Sequence, residues 1–148
     1  MELTTLGTAL KFAMELESTA MEVFDAAAEA ESSLDRKSLF ADLSASSADR
    51  KAKVEKLYNE NIYSDMDTGI FEPLQPMSGG AYAVRPESSV TTPAFIIESI
   101  EMERKSGQFY SDLAAQFKTR RRSIAKGLEK MAADNGNRKK RLEMLKHL

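Results

Sequence analysis

Four segments of this 148-residue chain carry mostly apolar residues at alternating steps of three and four. Such spacing places them on one stripe of an α-helix, and a seven-residue repeat of this kind lines the seam of a left-handed helix bundle. The stripes are Leu3, Leu6, Leu10, Ala13, Glu17, Ala20, Phe24 and Ala27; Phe40, Leu43, Ser47, Arg50, Val54 and Leu57; Ile96, Ser99, Glu103, Ser106, Tyr110, Leu113 and Phe117; and Ile124, Leu128, Met131, Asn135, Arg138, Leu142 and Leu145. The pattern therefore predicts an all-α fold of four helices.

The segments between the stripes predict how the helices connect. SSLD at 32–35 favours a turn, Thr92 before Pro93 favours a helix start, and Thr119 is a candidate cap for the last helix. Short, long and short connections indicate two helical hairpins joined by one crossover, the topology of ferritin-like bundles. We expect a single domain over 1–148, with helices at about 3–32, 35–62, 93–117 and 120–147 and a crossover connection at about 63–92.

An internal repeat supports the pairing into hairpins. AMELESTAMEVFDAAA (13–28) aligns with SIEMERKSGQFYSDLAA (99–115) at an offset of 86 residues. LSASSADRKAKVEKL (43–57) aligns with MAADNGNRKKRLEML (131–145) at an offset of 88 residues. The two hairpins should therefore face each other across a pseudo-twofold axis.

Polar residues interrupt all four stripes at one level of the predicted bundle. Repeat partners fall at equivalent positions, so we expect these side chains to form one polar layer inside the bundle, with the aromatic Tyr110 nearby as a packed residue. The members of the layer are Glu17, Ser47, Arg50, Glu103, Asn135 and Arg138.

The stretches MELESTAMEVF and EMERKSGQFY resemble the first and third helices of rubrerythrin-like proteins of the ferritin-like superfamily. The resemblance extends over the four helices, and it implies that Glu17 and Glu103 match glutamates that hold a di-iron centre. The family's second and fourth helices bring Glu-x-x-His. This chain has Ser47-x-x-Arg50 and Asn135-x-x-Arg138 there, so both half-motifs are replaced.

The replacement argues against a metal centre. Iron is bound by carboxylates and neutral imidazoles, whereas arginine has no lone pair and keeps its positive charge. Arg50 and Arg138 would repel a divalent cation but balance Glu17 and Glu103 charge for charge. We therefore expect no cofactor and a glutamate–arginine network at the former metal position, unless the two arginines extend out to solvent.

Three functions remain open from the sequence. The first is a non-catalytic scaffold, binding or regulatory protein without metal. The second is a rubrerythrin-type oxidoreductase or iron-binding protein with a remodelled site, in which Glu17 and Glu103 hold iron and Glu15, Glu98 and Glu101 are spare acids. The third is binding of an anion or small metabolite at the core arginines, which requires a cavity. Enzymatic activity is not expected, because the chain has no cysteine and one histidine, and no phosphate-binding motif surrounds Gly79 and Gly80.

A second apolar stripe and a charge asymmetry bear on partners. The stripe, which is Leu16, Val23, Phe95, Met102 and Phe109, requires cover from the connection or from another subunit, and we expect a homodimer through helices one and three. From Lys118 onward eleven basic residues oppose three acids. No aromatic residues for base stacking accompany them, so we expect packing beside acidic helices and no nucleic acid. The chain has no apolar run of membrane-spanning length and no basic leader, so we expect a cytoplasmic protein without membrane contact.

Overall fold

Four long helices dominate the computed structural model, which describes residues 1–62 and 69–147, His147 by its backbone. The helices are α1 (Leu6–Ala30), α2 (Leu34–Ile62), α3 (Pro93–Phe117) and α4 (Arg122–Met144), with a short 3₁₀ turn at Leu145–His147. Helix α1 packs against α2 and α3 packs against α4, and the connection before α3 joins the hairpins. The predicted four-helix bundle of two hairpins with a long crossover is confirmed.

The first helix begins later than the sequence suggested. Residues Glu2–Thr5 form a strand, β1, which pairs antiparallel with β2 (Pro73–Ser78) in the connection. Thr5 then caps α1 by accepting a hydrogen bond from the backbone of Thr8, whose own hydroxyl accepts one from the Thr5 backbone. The expectation that helix one starts at residue 3 was therefore wrong, because the extended backbone is paired before the cap.

The other ends lie close to their expected positions, with one correction. Helix α3 starts at Pro93 after Thr92, as predicted, although the Thr92 side chain makes no capping hydrogen bond. The fourth helix starts at Arg122 with Arg121 as its cap residue, so Thr119 is not the cap. Three consecutive residues before Arg121 form a turn that continues from the end of α3.

Two apolar clusters fill the bundle, one on each side of the predicted polar layer. The first includes Leu10, Val54, Leu113 and Leu128, and the second includes Phe24, Phe40, Ile96 and Leu142. Along each helix the polar positions fall between the two clusters. The layer is therefore enclosed by hydrocarbon at both ends, which raises the cost of any charge that lacks a partner.

The connection covers most of the second apolar stripe. The Tyr82 ring packs edge-on against Phe109 at 5.4 Å between centroids, and its hydroxyl donates a hydrogen bond to Asp112 at 2.7 Å. Val84 and Val90 pack against the second apolar cluster. Because the chain buries this stripe itself, the stripe no longer argues for a second subunit, and the homodimer stays a prediction.

Several residues of the basic segment pair with acids of the same bundle. Arg141 contacts Asp42 at 3.2 Å, and both Arg120 and Arg121 contact Glu72, at 3.4 and 3.0 Å. These pairs fit the packing interpretation, whereas the absence of a nucleic-acid partner and the cytoplasmic location stay predictions. Within the described ranges, no helix is long and apolar enough to cross a membrane.

Candidate functional site

The structure brings all six predicted polar residues together in the interior of the bundle. Each helix contributes to the layer, because the polar residues take the inward positions of its repeat. Their exposed fractions are 1% for Glu17, 0% for Ser47, 4% for Arg50, 2% for Glu103, 2% for Asn135 and 4% for Arg138. Neither arginine extends to solvent, so the alternative in which Arg50 and Arg138 leave the layer is excluded.

Arg50 connects the two hairpins from the side of α2. Its Nη1 donates a hydrogen bond to Asn135 Oδ1 at 2.7 Å and lies 3.4 Å from Glu17 Oε2. Asn135 in turn donates from Nδ2 to Glu103 Oε2 at 2.6 Å. The Asn135 amide therefore links the guanidinium of Arg50, in the first hairpin, to the carboxyl group of Glu103, in the second.

Arg138 makes the corresponding connection from α4. Its Nη2 donates to Glu103 Oε1 at 2.8 Å and to Ser47 Oγ at 2.5 Å, and its Nη1 lies 3.8 Å from Glu17 Oε1. With the contacts of Arg50, this closes a ring of Glu17, Arg50, Asn135, Glu103 and Arg138. The ring joins all four helices at one level.

The network follows the internal repeat. The Arg50 guanidinium lies 5.4 Å from the centroid of the Tyr110 ring, and the Arg138 guanidinium lies 6.0 Å from the centroid of Phe24. Tyr110 and Phe24 are repeat partners, as the two arginines are. Each arginine thus packs over the aromatic residue of the opposite hairpin, at a distance typical of cation–π contacts.

The symmetry is broken where the two carboxylates receive neutral donors. Tyr110 donates from its hydroxyl to Glu17 Oε2 at 2.5 Å, whereas Phe24 has no hydroxyl to offer Glu103. Glu103 receives the Asn135 amide instead, at the position where the other half has Ser47. Tyr110, expected only as a packed aromatic, is therefore also a hydrogen-bonding member of the layer.

Burial and mutual charge set the ionisation of the layer. Burial raises the pKa of Tyr110 well above its usual value, and Glu17 raises it further, so the phenol stays protonated and able to donate. Burial alone would lower the pKa of Arg50, but the surrounding groups, Glu17 first, together outweigh burial and the pKa is raised. Burial also raises the pKa of Glu103, against the opposing effect of Arg138. The layer combines two guanidiniums with two carboxyl groups, and both arginines oppose the rise in the pKa of Glu103.

These residues do not fit a di-iron centre. The carboxylates of Glu17 and Glu103 are already engaged by guanidinium, amide and hydroxyl donors at 2.5–3.8 Å. A metal ion would need the space of Arg50 and Arg138 and would meet their positive charge at close range. In the part of the chain that the structure describes, no cluster of three His, Cys, Asp or Glu side chains forms a metal site.

Two of the three spare acids are paired elsewhere, and the third is exposed. Glu98 accepts hydrogen bonds from the backbone of Glu87 and Ser88 in the connection, at 2.9 Å each. Glu101 forms a two-point ion pair with Arg104, with N–O distances of 2.6 and 2.8 Å. Glu15 is exposed on α1. None of the three completes a ligand set at the layer.

Sequence reasoning missed Gly107 on α3. A Cβ atom at this glycine would lie 3.0 Å from the Cβ of Asn135, so the missing side chain allows α4 to bring Asn135 close. The signal was available, because a glycine inside a helix weakens it unless close packing requires it. The repeat partner of Gly107 is Met21, so the internal repeat gave no indication that a small residue is required at this position.

Glu72 was also missed, and it had no sequence signal. It lies in the connection, is 8% exposed, and contacts Arg121, which also donates to Asn61 Oδ1 at 2.9 Å. This contact joins the end of α2, the connection and the α3–α4 loop. Irregular segments of this kind follow no periodicity, so their partners cannot be read from spacing.

Comparisons of the chain with family models, with curated proteins and with solved structures gave no match.

Proposed function

We propose that this protein is a metal-free bundle of the rubrerythrin-like type that acts as a binding, scaffold or regulatory protein. In this proposal the glutamate–arginine ring takes the position at which such bundles hold two metal ions. The layer fixes how the two hairpins meet and carries no redox chemistry.

The observation that supports the proposal is the ring itself, in which two buried guanidiniums contact two buried carboxyl groups. Arg50 and Arg138 are at most 4% exposed, and each pairs with the glutamate of its own hairpin, Glu17 and Glu103. Arg138 also lies 3.8 Å from Glu17 of the other hairpin. Placing two guanidiniums at this depth is costly unless acceptors compensate them. A site that binds metal could not also retain both cations at these distances.

A specificity role agrees with the energetics of buried ion pairs. Such pairs seldom stabilise a fold more than well-packed hydrocarbon of similar volume, but they select one alignment of the elements that they join. Here the polar layer joins Arg50 to Asn135 and Arg138 to Ser47, which are 85 and 91 positions apart in the chain and lie on different hairpins. A rigid bundle with a defined register is suited to presenting a binding surface.

The decisive experiment restores the family's ligands. The quadruple variant Ser47→Glu, Arg50→His, Asn135→Glu and Arg138→His places Glu-x-x-His on α2 and α4, next to Glu17 and Glu103. Protein from iron-supplemented cells is analysed for iron content and for the absorption of oxo-bridged iron. We expect less than about 0.1 iron per chain in the wild type and close to two in the variant, because the variant offers four carboxylates and two imidazoles in place of two carboxylates and two guanidiniums.

A half-restored variant, Ser47→Glu with Arg50→His, is the matched control. It retains Arg138 and should stay free of a di-iron spectrum. Stoichiometric iron in the wild type would overturn the proposal, as would a folded quadruple variant, verified by circular dichroism, that takes up no iron.

A further inference from the structure

A pocket of about 320 Å³ opens between α2 and α4, next to the polar layer. Three buried side chains, Arg50, Ile124 and Met131, form its floor. The floor therefore offers one guanidinium group beside two apolar surfaces.

The rim of the pocket is electrically balanced. Lys53 pairs with Asp49 at 3.2 Å, and Lys56 lies 4.0 Å from Glu60. Lys130 and Asp134 add one further charge of each sign. Because the rim carries no net charge, the hydrogen-bonding capacity of the Arg50 guanidinium is the polar feature that distinguishes the floor.

Arg50 has hydrogen-bonding capacity that the ring does not use. Its Nη1 donates to Asn135 and Glu17, whereas its Nη2, itself buried, has no hydrogen-bond partner among the described residues. Arg138 Nε and Nη1 are in the same state, but Arg138 does not line this pocket. A buried guanidinium N–H without an acceptor is costly, and such groups are normally paired with protein, water or ligand. An anionic oxygen is the acceptor that a guanidinium binds most strongly.

We propose that this pocket binds a small organic monocarboxylate, with its carboxylate at Arg50 and an apolar body against Ile124 and Met131. A single charge fits the balanced rim better than the two charges of a phosphate monoester. The inference names a ligand class for the proposed binding protein and rests on that function, since Arg50 must keep its guanidinium in the layer rather than yield to a metal.

Gly127 provides a way to test the pocket without disturbing the ring. It lines the pocket on α4, and a Cβ atom there would meet nothing within 4 Å. A phenylalanine at this position should fill the pocket while α4 keeps its place. Gly136, also on α4, has the same free space but lines a different cavity, between α3 and α4, so Gly136→Phe is the matched control.

The experiment titrates ¹⁵N-labelled protein with phenylacetate and with phenylacetamide, its neutral counterpart of the same shape, at pH 7. We expect saturable shifts of the backbone amides around Gly127 and Arg50 with phenylacetate, and binding about tenfold weaker or worse with the amide. Gly127→Phe should abolish these shifts, and Gly136→Phe should keep them. Hexanoate against hexanamide repeats the comparison with an aliphatic body.

Equal binding of acid and amide would overturn the inference, as would phenylacetate binding that survives Gly127→Phe. Absence of saturable binding by both acids up to about 10 mM would overturn it too, since such a site would be weaker than a single charge-assisted contact predicts. Iron analysis of the same samples separates the two proposals. A protein free of iron that binds no carboxylate leaves the metal-free bundle intact and removes the pocket.

Discussion

At the scale of single residues, the Tyr110 hydroxyl gives the buried carboxyl group of Glu17 a neutral hydrogen-bond donor. The hydroxyl lies 2.5 Å from Glu17 Oε2, and the Tyr110 side chain is fully buried. Without it, Glu17 would depend on Arg50 at 3.4 Å and Arg138 at 3.8 Å, both long contacts for a buried carboxylate. The Tyr110 hydroxyl is therefore the closest of these three donors to Glu17, so Tyr110 contributes a hydrogen bond as well as packing.

Tyr110→Phe removes this donor and preserves the aromatic ring of the side chain. Because a buried carboxylate then loses a hydrogen bond, we expect the free energy of unfolding to fall by about 1–3 kcal/mol. Tyr82→Phe is the matched control, since the Tyr82 hydroxyl also donates to a carboxylate, Asp112, but near the surface. Water can replace that donor, so a loss of about 1 kcal/mol or less is expected. Urea denaturation followed by circular dichroism measures both, and equal losses would contradict the account.

At the scale of elements, the close approach of α3 to α4 determines whether Asn135 can link Arg50 to Glu103. Gly107 makes room for this approach, because a methyl group there would press on the Asn135 Cβ at 3.0 Å. The α1–α2 hairpin has Met21 at the equivalent place and Ser47 opposite Asn135, a smaller polar residue. The two hairpins thus differ in packing where they differ in hydrogen bonding.

Gly107→Ala tests whether α3 and α4 approach each other closely at this position. A glycine-to-alanine change inside a helix normally stabilises it by about 0.5–1 kcal/mol, and Gly127→Ala and Gly136→Ala should show this gain because their sites are open. Gly107→Ala should instead lower the midpoint of thermal denaturation, since Asn135 must move. A gain as large as that of the two controls would show that the approach is not tight.

At the scale of the whole molecule, the periodicity of the sequence predicted the features that regular helices determine, which are the inward faces and the positions of the polar residues along them. The heptad stripes placed the inward faces of all four helices, and the repeat placed Glu17 opposite Glu103 and Arg50 opposite Arg138. The strand at Glu2–Thr5 and the contact of Glu72 with Arg121 escaped prediction, because both depend on long-range partners in an irregular connection. The partners of each arginine and the pocket beside Arg50 depend on distances between side-chain atoms. The spacing of residues along the sequence does not give these distances.

The central proposal is that guanidinium groups take the position at which rubrerythrin-like bundles hold their metal pair. The most direct test is an anomalous difference map from crystals soaked in manganese chloride. The account predicts guanidinium density for Arg50 and Arg138 between the carboxylates of Glu17 and Glu103, and no anomalous peak in the layer. An anomalous peak coordinated by Glu17 and Glu103, with the arginines displaced, would contradict it.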